Sequence, residues 1–105
     1  MRAITPGHFY ALKNFEGGNE AQSLQFIEKE TGMATTGPIE LTTIHDGTTN
    51  EEVLLMLIDR LKFLGDRLPS RETSIAITKC EEALLWLNKR TNDRVTRGVE
   101  GTHKP

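Results

Sequence analysis

Between His8 and Glu30 the chain alternates apolar and polar positions with a period close to two. In HFYALKNF, Phe9, Ala11 and Phe15 fall on one side and Tyr10 and Leu12 on the other. After Gly17-Gly18-Asn19, the run QSLQFIEKE sets Leu24 and Phe26 against Gln25 and Ile27. Two alternating runs joined by glycines predict a β-hairpin. Gly32 and Gly37-Pro38 punctuate a loop, Ile39–Thr43 alternates again as a third short strand, and His45-Asp46-Gly47-Thr48 reads as a turn.

The period then changes. Thr49-Asn50-Glu51-Glu52 fits a capping box, in which the Thr hydroxyl accepts from a first-turn N–H and Glu52 reaches back, so a helix should start at about Asn50. Val53, Leu57, Leu61, Leu64 and Leu68 follow helical spacing, but Leu54, Leu55, Met56 and Ile58 are apolar too. Pro69 disfavours helical geometry at Leu68 and stops the run; Ser70 is a natural cap for a second helix reaching about Arg97. On that helix Ile75, Ala76, Cys80, Ala83, Leu84, Leu87 and Thr91 make one face, widened by Ile77, Leu85 and Trp86. So short a connection predicts an antiparallel helical hairpin. The tail GVEGTHKP has no apolar periodicity and is expected to be mobile unless an assembly pins it.

One partner helix covers only part of so wide an apolar circumference. Each buried Leu, Ile or Phe contributes roughly 1.5–3 kcal/mol, so the pattern predicts association of helices between subunits, the alternative being that the strands cover the second face. Composition agrees: 105 residues with 36% hydrophobic leave little core material for a lone domain. There is no run of 18 apolar residues and no long apolar stretch at MRAITPGHF, which predicts a cytoplasmic protein. The net charge of −2 hides an asymmetry, with three Lys/Arg against nine Asp/Glu in residues 1–59 and ten against six in 60–105. Cations in the C-terminal half point to an anionic partner or to contact between unlike halves of different subunits.

Motifs for catalysis are lacking. The sequence holds no GxSxG, P-loop or HExxH, and its three histidines, His8, His45 and His103, lie far apart without a nucleophile context. Glu81 and Glu82 are adjacent on a helix, about 100° apart, and so cannot share a proton as facing carboxylates do. The single Cys80 reads as a small buried hydrophobe, and neither a metal site nor a cofactor is expected. Donors concentrate on the second helix, where Lys79, Asn88, Lys89, Arg90, Asn92, Arg94 and Arg97 occur with Thr78 and Thr91; Arg60, Lys62 and Arg67 come from the first. Arg grips phosphate through a planar fork. Aromatic residues could stack on a base, although Trp86 reads as core. A pI near 5.9 disfavours duplex DNA or RNA, and a small anionic ligand at a subunit junction fits better.

The stretch Pro69-Ser70-Arg71-Glu72-x-Ser74-x-Ala76-x-Thr78-Lys79-x-Glu81-Glu82-Ala83-x-x-Trp86-x-Asn88 after a Leu-rich helix resembles the hairpin domain of phage proteins that sequester bacterial immune signalling nucleotides, the anti-Thoeris and anti-CBASS sponge family. The resemblance covers about residues 50–97, and the strand-rich segment before it is more similar to the anti-Thoeris branch. It implies a non-enzymatic protein that binds cyclic ADP-ribose isomers or cyclic di- and trinucleotides between subunits of a dimer-based assembly, often a hexamer; no membrane partner is expected, and the alternatives are a structural or interaction module of a phage complex or a small nucleic-acid-binding regulator. Carried onto this chain, it implies ligand contacts at Arg71, Thr78, Lys79, Asn88, Arg90 and Arg94. The expected architecture is α+β, with a small β-rich segment at 1–48 forming a short antiparallel meander, a helical hairpin at 49–97 that packs into an oligomer, and a tail at 98–105.

Overall fold

A computed structural model describes residues 1–31 and 41–96. The fold is α+β: five short strands, β1 (Arg2–Thr5), β2 (Phe9–Leu12), β3 (Gln22–Gln25), β4 (Glu28–Thr31) and β5 (Leu41–His45), precede two helices, α1 (Asn50–Arg67) and α2 (Arg71–Thr96). The chain divides into two compact units at Thr49/Asn50. Residues 32–40 and the tail, including the start of the expected third strand and Arg97, lie outside the described residues.

The first unit begins with a strand that periodicity did not reveal. RAIT is too short to alternate visibly, and its partner is chosen by the turn after it: Pro6 follows Thr5, Gly7 takes φ 81°, and the His8 N–H donates to the Thr5 carbonyl at 2.9 Å. That is the chemistry of a type II turn. β1, β2 and β3 form an antiparallel meander in that order. Tyr10 pairs with Leu24 and Ala11 with Ser23. On one face Tyr10 meets Phe26 edge-on, with ring centroids 5.8 Å apart, the arrangement aromatic quadrupoles favour.

The run QSLQFIEKE, expected as one strand, is two. Phe26 N–H still reaches the His8 carbonyl at 2.7 Å, but Ile27 N–H turns to the Thr48 carbonyl and Thr48 N–H to the Gln25 carbonyl, both at 2.9 Å. From there the chain continues as β4 and pairs with β5 in a separate two-stranded sheet, with a register shift between Glu28 and Lys29. His45 thus ends a strand instead of opening a turn. Gly47 makes the switch possible: a Cβ there would collide with the Gln25 carbonyl oxygen and lie 2.7 Å from the Phe26 carbonyl carbon.

In the second unit α1 starts at Asn50, with Glu51 and Glu52 in the first turn, and Leu68, Pro69 and Ser70 connect it to α2. The less exposed positions on α1 include Val53, and Leu54, Ile58, Leu61 and Gly65 in a regular series; on α2 they include Thr73, Ile77, Cys80, Leu84, Leu87 and Thr91. Their alternating steps of three and four are those of a coiled-coil seam. Gly65 lets the helices close near the turn, since a Cβ there would stand 3.3 Å from Thr73 Cγ2. The seam differs from the face read off the sequence. Leu57, Leu64 and Leu68 on α1 and Ile75 and Ala83 on α2 lie outside it and are exposed. In both helices the apolar arc is wider than one seam, so sequence spacing alone did not decide which part of it is used. Ile58 is the one buried hairpin residue among those described, and no described helix is long and apolar enough to cross a membrane.

Candidate functional site

The second helix is the platform for every candidate residue. Ser70 caps it as expected: its hydroxyl oxygen accepts from the Thr73 N–H at 3.1 Å and its hydroxyl contacts Thr73 Oγ1 at 2.8 Å. Arg71 sits in the turn that follows, exposed, at the end where the helix dipole repels a cation. Glu72 does not compensate it, and among the described residues no carboxylate pairs with Arg71.

The lysines and arginines of this helix differ in company. Lys79 pairs with Glu82 at 3.7 Å, and Lys89 with Asp93 at 2.9 Å. Lys62 of α1 pairs with Glu81 at 3.5 Å across the hairpin. Among the described residues Arg90 and Arg94, one helical turn apart, have no ion pair, and Arg94 is half-buried with its Nε shielded from water and without a hydrogen-bond partner. A buried guanidinium N–H without an acceptor is costly, and an anion relieves that cost only if the side chain turns to expose it.

The six candidates do not form one cluster within a chain. With about 1.5 Å rise and 100° rotation per residue, Arg71 and Thr78 share the outer side of α2, Lys79, Arg90 and Arg94 lie within about 60° of one another, and Asn88 faces nearly opposite to Arg90. Arg71 and Arg94 are about 35 Å apart along the axis. Thr78 directs its hydroxyl to the Ser74 carbonyl at 3.2 Å, leaving its oxygen lone pairs available. A pocket that used all six would need side chains from more than one copy.

The aromatic residues correct one expectation and add a feature. Trp86 is 69% exposed and is not core. Its flank of α2, shared with Ala83 and Arg90, lies on the same side of the hairpin as Leu57, Leu64 and Leu68 of α1, opposite the Lys62–Glu81 bridge. Phe63 stands 59% exposed with the Arg67 guanidinium 5.1 Å over its ring, a cation–π pair that i, i+4 spacing made findable. Among the described residues, no group of three or more His, Cys, Asp and Glu side chains could hold a metal ion.

The arrangement defines a class: a small α+β protein whose helical hairpin carries an uncovered apolar flank and arginines with no carboxylate partner among the described residues. Residues 28–92 match the Acb2/Tad1 hairpin domain, and the chain belongs to that family. It is also 53% identical over 60 residues to Thoeris anti-defense 1 of Bacillus phage SBSphiJ7. That alignment spans 56% of this chain and 42% of the relative, so the chain covers less than half of that protein's length.

Proposed function

We propose that the chain is a phage anti-defence protein that captures cyclic nucleotide immune signals, cyclic ADP-ribose isomers or cyclic di- and trinucleotides, and holds them intact. The observation that carries this is membership of the Acb2/Tad1 hairpin family, together with the 53% identity to a protein named for anti-Thoeris defence. The chemistry supports it from below. Arg71, Arg90 and Arg94 have no carboxylate partner among the described residues, on a helix whose lysines pair with neighbours, and desolvated Arg–phosphate forks are strong, oriented contacts.

In this reading the hairpin, residues 49–97, is the binding and assembly unit, residues 1–48 are an appended β-rich unit, and the protein acts in the cytoplasm of the infected cell as a homo-oligomer built from dimers. Arg90 and Arg94 form one phosphate station beside the apolar flank; Arg71 and Thr78 form a second on the outer side of α2. Lys79 and Asn88 are weaker members, because Lys79 already has Glu82 and Asn88 faces away from Arg90. Sequestration needs tight binding and no stabilised transition state, so the reading requires no acid, base or nucleophile.

The experiment is a thermal-shift panel of cyclic ADP-ribose isomers and cyclic di- and trinucleotides, followed by recovery of the ligand after denaturation. A raised melting temperature with the ligand returned chemically unchanged is expected. No shift with any ligand, or a cleaved product, would reject the proposal.

A further inference from the structure

Asp46 and Gly47 join the end of β5 to Thr48. Both are exposed, and the Gly47 N–H donates to the carboxylate of the residue before it, Asp46 Oδ1, at 2.9 Å. The carboxyl carbon Cγ is one bond beyond that oxygen, so the peptide nitrogen and the carbon it could attack are held side by side; rotation about the exposed Asp46 side chain turns Cγ toward the face of the peptide. Glycine leaves that nitrogen without a side chain to crowd the approach. Among the described residues no ion pair holds the Asp46 carboxylate elsewhere. The other three aspartates of the chain, Asp59, Asp66 and Asp93, sit inside helices, and each is followed by an Arg. There the next N–H is committed to a carbonyl one turn back, and Asp93 is also held by Lys89.

Attack of the Gly47 nitrogen on Cγ of the protonated Asp46 carboxyl forms a C–N bond. The N–H proton and the carboxyl hydroxyl leave together as water, and the product is a succinimide. Water then opens the ring at either carbonyl, restoring Asp46 or leaving an isoaspartyl link in which the main chain passes through Cγ. One water leaves and one returns, and nothing is oxidised or reduced. The isoaspartyl link lengthens the main chain by one carbon immediately before Gly47. That place has little room for it. Gly47 is packed on the Gln25 and Phe26 backbone, and Thr48 both donates to the Gln25 carbonyl and accepts from the Ile27 N–H, each at 2.9 Å. On the other side His45 is fixed by its pairing with Glu28, so the added carbon displaces Gly47, Thr48 or both.

We propose that Asp46-Gly47 is a self-modification site: the folded protein converts Asp46 to isoaspartate through a succinimide, and the product loosens the junction between the two sheets. The reaction is separate from nucleotide capture and does not depend on ligand. Its test is incubation of the full chain for weeks in neutral buffer, followed by peptide mapping with mass spectrometry and labelling by a methyltransferase specific for isoaspartyl groups. The expected result is a species lighter by one water and then an isoaspartyl group at residue 46, with none at Asp59, Asp66 or Asp93 and none at that position in Asp46→Glu. Formation in the folded chain is at least as fast as in the chain unfolded in urea. The isoaspartyl form, separated by chromatography, shows its Tyr10 unfolding transition at lower temperature and its Trp86 transition in place. Slower formation in the folded chain than in urea overturns the proposal, because the fold then protects the pair. Equal labelling of the helical aspartates, or undiminished labelling in Asp46→Glu, overturns the assignment to this site, and an isoaspartyl form whose Tyr10 transition does not move overturns the loosening.

Discussion

Arg90 and Arg94 differ from the lysines around them in having no carboxylate partner among the described residues. A Lys at the surface keeps its ammonium hydrated and pairs loosely, and the two lysines of α2 do so, with side chains more than half exposed; such pairs add little to stability. Arg94 has given up water at Nε without gaining an acceptor among the described residues, a cost that an anion relieves if the side chain turns toward it. Arg90→Ala and Arg94→Ala should each weaken nucleotide binding by about 1.5–3 kcal/mol, ten- to hundredfold in Kd, with assembly mass unchanged. Titration calorimetry on both variants checks this, and normal binding by both would move the site elsewhere. Gly47 makes a second demand at this scale. Its missing side chain admits the Gln25–Phe26 backbone, so Gly47→Ala should cost about 1–3 kcal/mol through overpacking. The chain has one Tyr and one Trp; Tyr10 reports the sheet and Trp86 the hairpin. The destabilisation should appear in the Tyr10 transition and leave that of Trp86 in place.

Elements were legible where local chemistry fixes them and obscure where partners do. The start of α1, the stop at Pro69 and the Ser70 cap follow from side chains within a few residues of each boundary, and the structure places them where periodicity and capping put them. Ser70→Ala should therefore lower hairpin stability by about 0.5–2 kcal/mol and Ser70→Gly by only a few tenths, read by far-UV circular dichroism during urea unfolding. Equal losses in both variants would mean that the hydroxyl does not act as a cap. β1 was invisible because four residues carry no period, and because its pairing depends on Gly7 taking a positive φ. The division of QSLQFIEKE was hidden for a different reason: both halves look like strand, and only Thr48, more than twenty residues away, decides where one sheet ends. Among the site residues, the types and spacing of Arg90 and Arg94 were readable, but their lack of internal partners was not, since it depends on which carboxylates Lys79, Lys89 and Lys62 reach first.

At the scale of the whole molecule, the hairpin has more apolar surface than its own seam can cover. Leu57, Leu64, Leu68 and Trp86 remain 38%, 41%, 79% and 69% exposed, an apolar flank of the kind that the proposed self-association would cover. Self-association through it is symmetric in the simplest case, each flank covering its equivalent. Leu64→Glu should then lower the assembly mass by placing a carboxylate in that contact, while the seam residues Ile58, Leu61 and Leu84 keep the hairpin folded. If the nucleotide pocket is shared between copies, the same substitution removes ligand binding although Leu64 touches no phosphate. Arg94→Ala does the opposite, weakening binding about ten- to hundredfold and keeping the mass. The pair of variants separates assembly from recognition: dissociation with retained binding in Leu64→Glu would place the entire pocket within one hairpin, contrary to the spread of Arg71 and Arg94 along α2.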